Sequence, residues 1–426
     1  GVAKPIRKSH RPMSDYRNVF WLIAAVAIMQ LSAGILGIVT PLGLEQLGVS
    51  LPMVGFVAAI HAAGFMAGAA CAPRALGLFG NIRVFSAAAA LTCAGVLMMD
   101  LFMDPVGWTA IRLVQGASFA LMFASAEAWL SDAVPAKNRG GVTGFYHVCA
   151  KAALLTGPFF ASGHGALESQ AFVWCGLFFA LALVPICLTR RGQPAPPDNV
   201  PLPFSRLFKL APAAVVAAFI AGVVNTGTLA LLPIYAAGIA PNLATGTEAA
   251  AYAVAAAWLG GLISQWPAGR ISDRVDRRLV VAIMALVSAA AALLLALTTG
   301  RTPLWTSLVL LSIWGAGSLS FYGVAIAHAI DRAASGQMAR VMSGLLFVWA
   351  AGSVVGPPLS GFAMRAGFGN GGLFALAALM SLVLAILMGF RKLLRDEPPQ
   401  AAQEPWEMAQ PTSIAGADFD PRGEPG

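Results

Sequence analysis

Gln265-Trp-Pro-Ala-Gly-Arg-Ile-Ser-Asp-Arg-Val-Asp-Arg-Arg278 places four arginines and two aspartates where two long apolar stretches, 249–268 and 279–299, meet. About 20 apolar residues cross a bilayer as a helix, so this segment is expected to be the water-facing turn of a membrane hairpin. Working outward in both directions, the alternation of apolar run and short polar turn recurs along the chain. Twelve runs are expected to span: 19–41, 51–73, 83–103, 106–130, 141–163, 170–189, 210–236, 249–268, 279–299, 303–329, 340–363 and 369–390.

Composition agrees. Only 11% of the 426 residues are charged and 58% are hydrophobic, against roughly 25% charged in an average soluble domain. Charge that sparse cannot cover a water-soluble fold of this length, and the chain reads as an all-α polytopic membrane protein. Its 45 glycines and 27 prolines are tolerable because neighbouring helices re-satisfy backbone groups that such residues release. Val19 to Pro41 is long enough to span and no A-x-A site follows it, so the first helix is expected to be retained.

The one long interruption, 190–209, is rich in proline and basic residues and suits a cytoplasmic linker. The expected organisation is a cytoplasmic segment 1–18, a six-helix bundle 19–189, the linker 190–209, a second six-helix bundle 210–395 and a disordered acidic, Pro- and Gly-rich cytoplasmic tail 396–426. The halves resemble each other: Trp108 answers Trp305, and Gly157-Pro158 answers Gly356-Pro357, each roughly half a chain apart. Parallel repeats of this kind place a substrate site at their interface near the midplane.

Lysine and arginine set the orientation. With the N-terminus inside, the basic residues of the N-terminal segment, the linker, the tail and the turns after spans 2, 4, 8 and 10 share one side. Only Arg301 and Arg365 fall in loops on the other. This positive-inside pattern expects a multi-pass protein of a bacterial inner membrane with both termini cytoplasmic. It also accounts for the net charge of +8 without nucleic acid, which would call for a basic, aromatic-bearing face on a soluble domain.

Cys71, Cys93, Cys149, Cys175 and Cys187 lie in apolar runs without CxxC or Cys/His spacing, and read as small core residues rather than metal ligands or disulfides. No cofactor or metal site is expected. HExxH, GxSxG, P-loop and paired-carboxylate patterns are missing, so no catalytic residue is assigned and an enzyme is the least favoured class.

The opening segment resembles the cytoplasmic loop signature GxxxDRxGRR of the major facilitator superfamily, with Asp276 in place of the second glycine. In that family the loop is a conformational latch, a role that Gly269, Asp273, Arg274, Arg277 and Arg278 inherit by resemblance. The corresponding first-half turn, Pro73 to Arg83, lacks the aspartate and has Gly77 in its place. Asp132 to Arg139 resembles the acidic-x6-Arg loop of sugar-porter relatives, which adds Asp132 and Arg139 to the latch candidates, and Arg112-Leu-Val-Gln115-Gly116 resembles the family's RxxQG signature. Gly352-Ser-Val-Val-Gly356-Pro357, and less closely Gly144…Gly157-Pro158, are similar to the GxxxGP bend of proton-coupled drug exporters; glycines serving close helix packing explain them equally well. Ser125-Ala-Glu127-Ala-Trp129-Leu130-Ser131, the opening segment and Ala327-His328-Ala329-Ile330-Asp331-Arg332 together resemble the bacterial YcaD-like group, which has no agreed substrate.

The resemblance implies twelve helices in two pseudo-symmetric six-helix bundles. Spans 1, 4, 7 and 10 would line the cavity, 2, 5, 8 and 11 would flank it, and 3, 6, 9 and 12 would face lipid. Polar groups cost free energy in lipid and collect at an interior cavity, and the polar residues here respect that division. Gln30, Arg112, Gln115, Lys151, Asn225, Trp314 and Tyr322 are the substrate-binding candidates. Glu127, His61, His147 and His328 are the proton-coupling candidates, with a structural salt bridge for Glu127 and helix-packing histidines at His61 and His328 as the competing readings. Spacings of 7, 4 and 4 keep Arg112, Phe119, Phe123 and Glu127 on one broad face, and His147 and Lys151, four apart, share another.

An unpaired ammonium at mid-depth is penalised by about 2.5–3.5 kcal/mol, so Lys151 points to function. The excess of buried positive charge suits an anionic or zwitterionic solute. The leading expectation is a monomeric, proton-coupled secondary transporter working by alternating access, whose partners are a small organic solute, protons and membrane lipid. A lipophilic-compound exporter and a non-transporting sensor or scaffold are the alternatives. Glu127 and Lys151 are expected to form a functional, titratable pair or to share a solute and proton site.

Overall fold

In hydrocarbon an apolar run has to bond its own backbone, and short of a closed barrel the helix is the way to do so. The computed structural model describes residues 12–134, 136–188, 201–240, 242–243, 245–334, 337–366 and 369–394, without the side chains of 12–18, 136–140 and 393–394. Segment 1–11, most of the expected linker, the tail, and the side chains of Arg17, Lys137 and Arg139 therefore lie outside the described residues.

Among the described residues twelve long helices follow in order: α1 (Pro12–Gln46), α2 (Leu51–Phe79), α3 (Asn81–Leu101), α4 (Pro105–Ala133), α5 (Ala136–Thr156), α6 (Ser169–Cys187), α7 (Pro212–Ile239), α8 (Gly246–Ser272), α9 (Arg277–Thr298), α10 (Leu304–Ile330), α11 (Met338–Arg365) and α12 (Gly372–Leu394). A two-turn helix, Phe204–Leu210, precedes α7. Among the described residues every regular element is helical. Ten of the twelve are long and apolar enough to cross a membrane on composition alone. The two that fall short, α5 and α8, are 21 and 27 residues long; they carry Lys151 and Trp258, which meet in the interior.

The two bundles repeat one packing scheme. In the first, α1 packs on α5 and α6, α2 on α4, and α3 on α4 and α6; in the second, α7 packs on α11 and α12, α8 on α10, and α9 on α10 and α12. Glycine marks the repeat. A side chain on Gly157 would overlap the Leu31 carbonyl between α1 and α5, and one on Gly356 would overlap the Val223 carbonyl between α7 and α11. Gly157, Gly352 and Gly356 of the GxxxGP stretches thus have a packing role, whereas a side chain on Gly144 would meet open space. The Trp108–Trp305 correspondence is weaker: Trp108 is fully buried and donates to the Met99 and Phe102 carbonyls at 3.0 and 3.1 Å, while Trp305 is exposed.

Between bundles α2 meets α11, α5 meets α8 and α1 meets α7. At the end opposite the arginine-rich turns, Gly55 abuts the Pro357 carbonyl and Gly361 the Leu51 carbonyl, while Phe159 of the turn after α5 stacks edge-on against Tyr252 of α8. Leu91 of α3, Leu177 of α6, Leu286 of α9 and Leu382 of α12 are exposed, as an outer, lipid-facing ring requires.

Candidate functional site

Two helices of the second bundle break where they face the first. α7 widens into a π-turn over Gly222–Thr226, and α10 opens between Ser318 and Phe321. The backbone groups released at such breaks need partners. Gln265 of α8 donates from Nε2 to the Leu319 carbonyl at 3.2 Å, and Ser264 bonds Ser320 at 2.6 Å. Ser318 donates to Asn225 Oδ1, joining the two breaks. Thr226 in turn donates to Ser353 of α11 at 2.8 Å.

The broken helices border a cavity of about 360 Å³ between the bundles. Its wall includes Gln30, Thr40, His61, Arg112 and Lys151 from the first bundle, and Asn225, Thr226, Trp258, Gln265, Tyr322 and Trp349 from the second. A further lobe of about 270 Å³ shares Gln30, His61, Arg112, Thr226 and Trp349 and extends along Phe119 and Phe123. Among the described residues, no aspartate or glutamate lines either lobe.

Arg112 donates from Nη1 to Gln115 Oε1 at 3.0 Å, and its buried Nε has no hydrogen-bond partner. His61 donates from Nδ1 to the Arg112 carbonyl at 3.2 Å and packs edge-on against Phe119. The Lys151 ammonium sits 3.5 Å from the ring centre of Trp258. A desolvated cation–π contact is worth about 2 kcal/mol, short of the roughly 2.5–3.5 kcal/mol charged for a mid-bilayer ammonium. Among the described residues no carboxylate pairs with Arg112 or Lys151. The cavity therefore holds two cations whose compensation is incomplete.

Gln30, Arg112, Lys151, Asn225, Tyr322 and His61 are thus brought together. Gln115 and Trp314 are not: Gln115 is buried behind the cavity, holding the guanidinium, and Trp314 is buried against Phe374. Glu127 and His147 are buried outside the cavity, His147 edge-on to Tyr146. The Glu127–Lys151 pair expected from sequence is not formed. α5 begins at Ala136, five residues before the expected span, so Lys151 lies ~22 Å from its helix end and Glu127 only ~9 Å from Ala133, at 1.5 Å per residue. That difference in depth exceeds the reach of a lysine, and Trp258 is the nearer partner. Trp258 and Trp349 are not among the sequence candidates, because an indole at mid-depth suits lipid, core or cavity alike and only the packing of α8 and α11 puts these two in the wall.

The latch candidates of the α8–α9 turn gather at the arginine-rich end of the second bundle. Arg277, 1% exposed, pairs through Nε with Asp331 at 2.7 Å and through Nη2 with Asp273 at 3.5 Å. Arg278 grips Asp276 at 2.7 Å and donates to the Arg391 carbonyl on α12 at 3.0 Å. Burial opposes the charge of Asp276, but the Arg278 guanidinium and backbone N–H outweigh it and hold the carboxyl below its ordinary range. His328 belongs here and not to the cavity: its ring accepts from Arg332 at 2.9 Å. Gly269 is buried at the end of α8, and Arg274 and Asp132 are exposed. Arg139 lies, in its side chain, outside the described residues.

Comparison with known proteins supplies the context. The family model described as Major Facilitator Superfamily matches residues 22–251 and 236–421. The uncharacterised MFS-type transporter YcaD of Escherichia coli is 23% identical over 379 residues, 88% of this chain and 96% of the relative. Among solved structures, a mutant of the nucleoside transporter NupG superposes with a TM-score of 0.71 at 13% identity, covering 87% of this chain and 100% of that one. A bacterial homologue of the human lysosomal transporter Spinster, inward-facing and occupied, gives 0.70 at 17% identity over 92% and 100% of the two chains. The Escherichia coli fucose:proton symporter FucP gives 0.59 at 16% identity over 89% and 99%. At these identities the structures share the fold.

Proposed function

The chain belongs to the Major Facilitator Superfamily, a multi-pass membrane transporter of a small solute and not an enzyme, and on that premise we propose that it carries an anionic or zwitterionic organic solute across the bacterial inner membrane by alternating access. The observation that carries this reading is the charge of the cavity wall: among the described residues, Arg112, Lys151 and His61 line it and no carboxylate does. A solute carboxylate between the two cations supplies the compensation that the protein lacks, and Gln30, Asn225 and Tyr322 hold its polar remainder.

Transport is coupled to protons through His61. It lines the cavity beside Arg112, within reach of a bound anion, so that solute and proton move together. Glu127, His147 and His328, buried away from the cavity, act as positioning groups. The arginine-rich end faces the cytoplasm with both termini and the 190–209 linker, the bundles 19–189 and 210–395 move as units, and the protein works as a monomer in lipid. Labelling of a cysteine placed at Ser205 by an impermeant reagent from outside intact cells would overturn that orientation.

A ligand-dependent thermal-shift screen in detergent tests the substrate class, because a ligand at 100 times its Kd stabilises by about 2.7 kcal/mol. Carboxylate hits that disappear in Arg112→Gln and Lys151→Gln support the reading. The aromatic wall of Phe119, Phe123, Trp258 and Trp349 favours a second one, export of lipophilic compounds, and hits confined to lipophilic cations would select it.

A further inference from the structure

Lys151 belongs to the first bundle and Trp258 to the second, so their 3.5 Å contact is a bond between the two bodies, made in the cavity wall. The wall is also divided by chemistry. Arg112, Lys151 and His61 come from the first bundle, whereas the second contributes neutral polar groups and the rings of Trp258, Tyr322 and Trp349.

We propose that Trp258 is the specificity-determining residue of the solute site: in the empty cavity its indole face holds the Lys151 ammonium, and an arriving anionic group draws the ammonium off, freeing that face for the solute's flat apolar body. The inference rests on the anionic reading above and narrows it to organic acids with an aromatic or similarly planar body. A carboxylate is a stronger partner for an ammonium than a ring quadrupole is, so the exchange runs toward the solute. About 150 Å³ accommodates a benzene ring, and the main lobe of about 360 Å³ therefore takes a ring and its acid side chain. Solute binding would in the same step undo a contact between the bundles, linking occupancy to their relative movement.

The test compares acetate, gluconate, phenylacetate and indole-3-acetate as stabilisers of the full chain in detergent. Phenylacetate and indole-3-acetate are expected to act at about tenfold lower concentration than the two hydrophilic acids, the scale of one aromatic pair. Trp258→Leu should bring that ratio close to one while carboxylates still bind. Trp258→Phe, which keeps a ring, should retain an intermediate ratio and serves if the leucine variant does not fold. Lys151→Gln should abolish the response to all four acids. An unchanged preference in the Trp258 variants, or hydrophilic acids binding as tightly as aromatic ones to the parent, overturns this inference and leaves the anionic reading standing. If no acid stabilises through Lys151, both fall.

Discussion

Asn81 and Arg277 hold the same place in the two bundles. Each opens the third helix of its bundle, each is 1% exposed, and each reaches toward the end of the fourth helix. Asn81 does so with one neutral bond, Nδ2 to the Ser125 carbonyl at 3.2 Å. Arg277 does so with a buried ion pair to Asp331, reinforced by Asp273. The repeat has kept a position and a direction of contact but not the chemistry. A neutral bond contributes about 1 kcal/mol, whereas half of a broken buried pair leaves a stranded charge at a cost of about 3–5 kcal/mol. The second turn is therefore close to all-or-none, and the first is graded.

The largest effect expected is that of Asp331→Ala, which removes the 2.7 Å partner of the buried Arg277 and should destabilise by up to about 3–5 kcal/mol in thermal or denaturant unfolding in detergent; a loss below about 1 kcal/mol would erase the contrast between the turns. Asn81→Ala should cost about 1 kcal/mol in the same assay. Asp273→Asn removes a longer, partly exposed pair and should cost less than about 1 kcal/mol. It should nevertheless change which end of the transporter a cysteine reagent reaches, whereas a change at Gly77 should not.

Acid gives the smallest effect. The Asp276 carboxyl is held below its ordinary range, so its contribution is complete above the unfolded value of about 3.9 and fades as pH falls through the lower folded one. Labelling of the α8–α9 turn should rise below about pH 4, while the α2–α3 turn, held by Asn81, should not respond.

Much of the fold could be read from residues alone, because burying twelve apolar runs leaves few alternatives and the charged turns mark their ends. Helix ends were less legible: α5 starts at Ala136 and not at 141, since a helix emerging into water tolerates polar residues that a hydropathy reading excludes. Within the site, Gln30, His61, Arg112, Lys151, Asn225 and Tyr322 could be found because a polar side chain inside a span needs somewhere to go. Trp258 could not, since an indole suits lipid, core or cavity alike, and its role depends on which helix faces Lys151. The latch shows the same limit. Asp273 and Arg277 are four apart on one strip of chain and could be paired by spacing, but the shorter partner, Asp331, is 54 residues away.

In the proposed transport cycle Arg112 and Lys151 bind the solute's anionic group. Uptake of a radiolabelled carboxylate, chosen for stabilising the protein, by proteoliposomes holding the parent, Arg112→Gln or Lys151→Gln measures it most directly. Saturable uptake is expected in the parent, with at least about a tenfold loss in each variant, the effect of removing one charge-assisted bond. Undiminished carboxylate uptake in both variants, with the fold intact by thermal melt, would contradict it.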